Sequence, residues 1–274
     1  MKILIAVDME GITGVTTWDQ VTPGHAEYAR FRKLMTQDVN AAIRGAVEAG
    51  ADEVIVADGH WNGSNILIEE LDPRGRLNTG SPSPYSMMQG IDESVDGVMF
   101  VGYHARNGSP NANLDHTWSS RCVANVWINE MLTGEYGLNG AVAGHFGVPV
   151  IMATGDQTAC AQIGDTFGNL ETAVVKQATG RYSAECLSPV VTQEMIYLAA
   201  GRAVTRLMDG DVPDPFVVDT PVRITIEFFT SDMADRARLI PFTERDGTRV
   251  SLTVDEMSIA YRGFRSMVTA AASG

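Results

Sequence analysis

Acidic and imidazole side chains follow three apolar runs of the sequence, at the points where those runs end. Asp8 and Glu10 come directly after the first run. The second run leads to His60 and the third to His104. In an open parallel sheet the carboxyl ends of neighbouring strands meet in one crevice, so adjacent strands would bring these four side chains together. Mixed carboxylate and imidazole ligands suit zinc better than magnesium or calcium, and the pattern therefore predicts a metal centre.

The carboxylates in this set need a counter-charge. Several carboxylates that lie close together without lysine or arginine repel one another strongly, and a bound cation is the simplest way to neutralise them. Asp8 and Glu10 stand two residues apart on an extended chain, so they point to the same side and could bridge or straddle two ions. Each motif alone could instead be a helix cap, a solvated loop or a turn. Their coincidence at successive strand ends favours the metal centre. A fourth run ends at Asp156, which adds a further carboxylate to the crevice.

Two further residues are candidates for the same crevice. His116 lies in a loop rich in Gly, Pro and Asn, where catalytic groups often gather. An imidazole there could orient water, transfer protons or stabilise a developing charge, and the alternative is a surface histidine without a function. Glu135 precedes a predicted helix, where the helix dipole favours an acid in the first turn. Glu135 could also be a further carboxylate ligand, but the residues alone do not favour it over Glu130.

The elements that must hold these residues alternate along the chain. Short, continuous apolar runs predict fully buried strands, and helical spacing between them predicts covering helices. Strands that alternate with helices are typical of a mainly parallel, doubly wound α/β sheet with both faces covered. Alternating apolar residues at 121–133 predict a hairpin. The predicted buried strands span residues 2–7, 53–57, 97–102 and 149–153.

A domain border is indicated by the acidic stretch DGDVPDPFVVDTP, which contains three prolines. Beyond it, residues 222–229 alternate strictly between apolar and polar, which predicts a strand with one buried face. Predicted helices at 232–239 and 254–272 complete a smaller C-terminal α+β unit. We therefore expect an α/β metal-binding catalytic domain over residues 1–210 and a small α+β domain over residues 211–274.

The composition excludes several classes of protein. The chain has 274 residues, 45% of them hydrophobic and 20% charged, which is an ordinary globular mixture. Its 20 basic and 34 acidic residues give a net charge of −14, which repels phosphate backbones, so we expect no nucleic-acid partner. There is no basic cluster and no apolar run of transmembrane length, so we expect no membrane partner. Three widely spaced cysteines without a CxxC motif favour a reducing, cytoplasmic location.

Several motifs together resemble one enzyme family. They are VDMEGITG, ADGHWN, VGYHARNGSP, the loop around His116, TGEYGLNG, VIMATGD and VVKQATGRYSAECLSP. In this combination the sequence resembles the zinc-dependent D-aminopeptidases of the dipeptide-transport operon type. The resemblance runs from residue 1 to about residue 190 and continues more loosely to the C-terminus.

The resemblance implies a metallo-aminopeptidase with two zinc ions per subunit. Such an enzyme releases the N-terminal residue, a D-amino acid, from short peptides or amino acid amides, with zinc-activated water as the attacking group. It also implies a ring-forming homodecamer whose active sites face an enclosed channel. His116 falls on the catalytic residue of the family, and Asp8 on the bridging metal ligand. The implied metal ligands are Asp8, Glu10, His60, His104 and Glu135.

Two other functions stay open at this point. A different di-metal hydrolase, acting on phosphoesters or on non-peptide amides, could use the same ligands, and phosphoryl transfer usually recruits a basic clamp such as Arg106. A non-catalytic doubly wound protein with a structural metal is the second alternative. The chain also departs from the family pattern, because family members usually carry Ser-His-Ser where this sequence has Asp115-His116-Thr117. That departure bears on the choice of substrate more than on metal binding.

Overall fold

The computed structural model describes residues 1–273, and in that range it contains two β-sheets and six α-helices. The strands are β1 (Lys2–Val7), β2 (Glu53–Asp58), β3 (Gly75–Asn78), β4 (Gly97–Val101), β5 (Val123–Ile128), β6 (Met131–Thr133), β7 (Val150–Asp156), β8 (Glu171–Gly180), β9 (Ser183–Cys186), β10 (Val222–Phe228), β11 (Thr243–Asp246) and β12 (Arg249–Val254). The helices are α1 (Tyr28–Glu48), α2 (Glu135–His145), α3 (Gln157–Phe167), α4 (Pro189–Asp209), α5 (Ser231–Ala237) and α6 (Met257–Ala272).

The larger sheet has seven strands in the order β3-β2-β1-β4-β7-β8-β9. All neighbours from β3 to β8 pair in parallel, and β9 adds an antiparallel edge. The predicted mainly parallel sheet is therefore confirmed. Strand β1 lies between β2 and β4, so the three strand ends that carry the acidic and imidazole residues are direct neighbours.

Both faces of the larger sheet are covered, as the continuous apolar runs predict. Along β1, Ile3, Ile5 and Val7 pack in one hydrophobic core with residues of α1 and α4. The alternate residues, Leu4 and Ala6, pack in a second core with residues of α2, α3 and the smaller sheet. None of the helices within residues 1–273 has both the length and the apolar character that a membrane crossing requires.

The smaller sheet is antiparallel, with the order β11-β12-β10-β5-β6. Strands β5 and β6 form the hairpin predicted at 121–133, and the alternation of β10 places Ile224 and Ile226 in the core while Arg223 is exposed. This sheet takes two strands from the predicted first domain and three from the predicted second domain. The division between residues 210 and 211 stays a prediction.

The segment that follows β1, residues 8–15, crosses the end of β4 at very short range. We call it the Asp8 loop. Gly11 N–H donates to the Gly102 carbonyl at 2.8 Å, and a Cβ atom on Gly11 would lie only 2.0 Å from the Tyr103 carbonyl oxygen. Gly102 has a φ of +74°, and a Cβ atom there would lie 2.3 Å from the Asp8 carbonyl oxygen. Only glycine allows the left-handed backbone at Gly102 and the close approach at both positions. This approach brings the ends of β1 and β4 together.

The Asp8 loop is also fastened to the helices on one face of the sheet. Thr13 N–H donates to Asp38 Oδ2 at 3.0 Å, and the Thr13 hydroxyl lies 2.8 Å from the Thr192 hydroxyl. Asp38 is completely buried in α1. Burial raises the pKa of Asp38 to about 7, although the hydrogen bonds from Thr13 act in the opposite direction.

This buried carboxyl should make the stability of the protein depend on pH. The pKa of Asp38 is raised in the folded state from the ordinary 3.8. Its favourable contribution to the free energy of unfolding is therefore complete below about pH 4 and is lost as the pH rises towards 7. The loss is on the order of 4 kcal/mol at most. In the Asp38→Asn variant the side chain does not ionise. The free energy of unfolding of this variant, relative to that of wild type, should therefore increase from pH 5 to pH 8. Denaturant titrations at the two pH values measure this difference, and a constant difference would contradict the expectation.

Candidate metal centre

Three neighbouring strand ends build the candidate site. Asp8 follows β1 directly, His60 comes two residues after β2, and His104 comes three residues after β4. All three side chains are buried. The prediction that residues distant in the chain meet at one edge of the parallel sheet agrees with this arrangement.

The five sequence-predicted metal ligands lie in one cluster. His60 Nδ1 is 3.2 Å from both Asp8 Oδ1 and Glu10 Oε2. His104 Nε2 is 3.3 Å from Asp8 Oδ2 and 3.0 Å from Glu135 Oε1. Asp8 therefore turns one carboxylate oxygen towards each histidine, and it connects the contacts of His60 with those of His104.

Backbone carbonyls determine which nitrogen of each imidazole faces the carboxylates. His60 Nε2 lies 2.7 Å from the Val21 carbonyl oxygen, and His104 Nδ1 lies 3.0 Å from the Ala105 carbonyl oxygen. A carbonyl oxygen only accepts, so these nitrogens carry the protons and donate them. The free nitrogens, Nδ1 of His60 and Nε2 of His104, are then the ones that point into the cluster. Histidines that bind metals are commonly held by such a hydrogen bond from the other ring nitrogen.

Two buried atoms of the cluster have no hydrogen-bond partner, namely Glu10 Oε2 and His104 Nε2. Leaving such atoms buried and unpaired is costly, and a cation between the carboxylates and the free imidazole nitrogens would remove that cost. Two sets of three side chains bring one ligand atom each to within 4.8 Å of the others. The residues present therefore fit a divalent metal of the zinc type. The two sets are Asp8, Glu10 and His104, and His104, His116 and Glu135.

The charges of the cluster shift the titration of its members. Burial raises the pKa of Asp8, but contacts with His104 and His60 outweigh burial and hold this pKa well below 3.8. Burial lowers the pKa of His104, but the charge of Glu135 and the contact with Asp8 raise it well above 6.5. Burial also lowers the pKa of His60, but Glu10 and Asp8 raise it well above 6.5. The site thus attracts positive charge, either as protons on the imidazoles or as metal ions, which compete for the same atoms.

The structure distinguishes Glu135 from Glu130, which the sequence alone does not. Glu130 is exposed in the turn between β5 and β6. Glu135 is the first residue of α2 and is buried in the cluster, where Oε1 also accepts a hydrogen bond of 2.7 Å from Trp118 N–H. The acid in the first turn of the helix and the carboxylate of the cluster are therefore the same residue.

His116 lies inside the crevice and not on the surface. Its side chain is 7% exposed, and its ring stacks on His104 with 3.9 Å between the ring centroids. His116 Nδ1–H donates to the Leu114 carbonyl at 2.8 Å, which leaves Nε2 as an acceptor 3.6 Å from Glu135 Oε1. Burial and the charge of His104 lower the pKa of His116 to about 4. A neutral imidazole with a free Nε2 can accept a proton.

The residues beside His116 attach its loop to neighbouring segments. Asp115 Oδ2 accepts a hydrogen bond of 2.7 Å from Gly108 N–H, and Asp115 Oδ1 lies 3.3 Å from Arg181 Nη1. Thr117 Oγ1 accepts a hydrogen bond of 3.2 Å from Asn107 N–H. The side chains on both sides of His116 thus anchor this loop.

The hydrogen bonds of Asp156 and Arg106 are with residues other than the five clustered ligands. Asp156 accepts hydrogen bonds of 2.8 Å from Ala159 N–H and from Asn113 N–H, so it caps α3 and holds the chain that leads to His116. The Arg106 guanidinium donates to the Asn107 carbonyl at 3.4 Å.

One buried residue near the site was not found by sequence reasoning. Lys176 on β8 donates to three carbonyl oxygens of the Asp8 loop. The signal for it was a lysine inside the apolar stretch VVKQA, in a sequence that has only three lysines. A lysine in a buried strand requires partners, but the sequence does not identify them.

Comparisons with known proteins agree with this geometry. Residues 1–266 match the family model described as D-aminopeptidase. The D-aminopeptidase of Bacillus subtilis (strain 168) is 36% identical over 275 residues, which cover 97% of this chain and 96% of the relative. A solved structure, the Zn-dependent D-aminopeptidase DppA from Bacillus subtilis, described as a self-compartmentalizing protease, superposes with a TM-score of 0.96 at 34% identity and covers 100% of this chain and 99% of that one. By sequence and by fold, this chain belongs to the D-aminopeptidase family.

Proposed function

We propose that this protein is a zinc-dependent aminopeptidase that removes the N-terminal residue, a D-amino acid, from short peptides or amino acid amides. The observation that carries the proposal is the placement of Asp8, which turns one oxygen to each of two groups of ligands. In the proposal Asp8, Glu10 and His60 would hold one zinc ion, and Asp8, His104 and Glu135 would hold a second. The D-aminopeptidase relatives, one of them Zn-dependent, support the choice of metal and of substrate.

The chemistry follows from the residues around the cluster. Zinc, when bound, supplies a Lewis acid that polarises a carbonyl and lowers the pKa of water to about 7. In the proposal His116 is the general base, because Nδ1–H is bonded to Leu114 and Nε2 is free. Nε2 accepts a proton as water attacks the scissile carbonyl and returns that proton to the leaving amine. The ring of Trp18, 5.4 Å from that of His116, and the stacked ring of His104 restrict the orientation of this imidazole.

A homodecamer with enclosed active sites is the assembly that we propose. The support is the self-compartmentalizing protease that this chain resembles over its full length. A closed chamber would admit only short peptides and amides, in agreement with the proposed substrates. Light scattering at micromolar concentration should give the mass of ten chains, and a monomer or dimer would contradict the decamer while leaving the metal centre unaffected.

We propose a cytoplasmic location as well. The three cysteines Cys122, Cys160 and Cys186 are all free, and Cys186 is exposed. An exposed thiol persists most readily in a reducing compartment, which supports this location. Cell fractionation tests it.

His116 gives the first test of the mechanism. The His116→Ala variant should bind as much zinc as wild type and lose turnover by about 10²–10⁴-fold, because the proton acceptor is removed while the five ligands remain. Zinc content by atomic emission and kcat on an amino acid amide measure the two effects. His25→Ala, which changes an exposed histidine paired with Asp19, is the matched control and should retain full activity. Loss of one zinc ion in His116→Ala would instead make His116 a metal ligand.

Metal removal and a substrate panel test the function itself. Treatment with a chelator should abolish amide hydrolysis while circular dichroism shows an intact fold, and added zinc should restore the activity. The restored enzyme should hydrolyse D-amino acid amides faster than the L-forms and leave p-nitrophenyl phosphate intact. Hydrolysis of the phosphoester without the amides would favour the phosphoesterase alternative. No hydrolysis at any zinc concentration would favour a non-catalytic metal-binding protein.

A further inference from the structure

Lys176 is a buried cation that the mechanism does not use. Its side chain is 1% exposed, and its ammonium group lies 2.6 Å from the Glu10 carbonyl oxygen, 3.2 Å from that of Ile12 and 2.6 Å from that of Val15. An ammonium group has three N–H donors, and here each of them has a carbonyl acceptor. All three acceptors belong to the Asp8 loop, which carries two of the proposed metal ligands.

This contact connects parts of the fold that are far apart. Lys176 lies on β8, which is separated from β1 in the sheet by β4 and β7. Within the Asp8 loop itself, the Ile12 N–H donates to the Met9 carbonyl and the Val15 N–H to the Ile12 carbonyl, both at 3.2 Å. The lysine adds three charge-assisted bonds to these two, and such bonds are stronger than those between neutral groups.

The side chain of Glu10 depends on this support more than the other ligands do. Glu10 Oε2 has no hydrogen-bond partner, whereas Asp8 Oδ1 accepts from Met9 N–H and Glu135 Oε1 accepts from Trp118 N–H. The direction of the Glu10 carboxylate towards His60 is therefore set by its backbone. We propose that Lys176 is a positioning residue, which fixes the Glu10 backbone so that this carboxylate completes its half of the metal centre. This proposal rests on the metal-dependent function proposed above.

Charge and positioning by Lys176 have opposite effects on zinc binding. A positive charge near the cluster repels a divalent cation, so removal of the charge alone would strengthen zinc binding. Removal of the three hydrogen bonds would release the Glu10 backbone and weaken zinc binding at the Glu10 and His60 half. The sign of the change in zinc affinity thus distinguishes a positioning lysine from one that acts only through its charge.

The test measures zinc binding by competition with a chelator, without substrate. In Lys176→Met one of the two zinc ions should bind about 10- to 100-fold more weakly than in wild type, the range typical for residues that orient metal ligands. Lys176→Gln should lie between the two, because its amide keeps two N–H donors without the charge. Lys33→Met, which changes an exposed lysine paired with Glu70, is the matched control and should bind zinc like wild type.

A double-mutant cycle shows whether Lys176 acts through Glu10. In a Glu10→Ala background the Lys176→Met change should have little further effect on zinc affinity, because the ligand that it positions is already gone. An equal loss in both backgrounds would overturn the proposal.

The remaining outcomes separate this proposal from the proposed function. Wild-type protein that binds no zinc would overturn the metal-dependent function, and the positioning role with it. Wild-type protein that binds zinc, together with Lys176→Met that binds it equally well or more tightly, would overturn the positioning role alone. If circular dichroism and gel filtration show that neither Lys176 variant folds, the lysine acts on folding and the proposal is wrong.

Discussion

The mutual repulsion of three buried carboxylates is the constraint on which the rest of the structure depends. Asp8, Glu10 and Glu135 are held within one small crevice, where the low dielectric strengthens their repulsion. The free nitrogens of His60 and His104 point at the same oxygens, so neutral imidazoles alone do not relieve it. Positive charge must enter the cluster, and a bound metal would supply it without disturbing the hydrogen bonds to backbone carbonyls that orient the two rings. The costly arrangement of acids is thus explained by metal binding and not by stability.

A site of this kind needs a rigid frame, because relaxation would separate the acids. The frame here is the meeting of three parallel strand ends, tightened where Gly11 and Gly102 let the Asp8 loop contact the backbone after β4. The helices on one face hold the same loop through Asp38 and Thr192, and β8 holds it through Lys176. Each of these contacts spans a long stretch of sequence, so the positions of the acids are fixed by the tertiary structure and not by local conformation.

The sequence predicted the parts of the site that depend on simple topology. Continuous apolar runs identify the strands, and neighbouring strand ends bring Asp8, His60 and His104 together, so these residues and the sheet were predictable. Glu135 was indicated only by the resemblance to the D-aminopeptidases, because the residues alone do not choose between it and Glu130, which the structure places in the exposed turn between β5 and β6. Strands β8 and β9 were missed for a related reason. The stretch ETAVVKQATG is interrupted by polar residues, and the burial of Lys176 is understandable only when its three carbonyl partners are known.

The contacts that orient the His116 imidazole are separate from the contacts that attach its loop. The orientation of the imidazole depends on the Leu114 carbonyl and on stacking with His104, and neither involves the side chains on either side of it. Those side chains, Asp115 and Thr117, bond instead to the segment that follows His104. Asp115 and Thr117 therefore determine how the loop is attached, while other contacts hold the imidazole. Since Asp115 also pairs with Arg181, the attachment reaches the turn between β8 and β9.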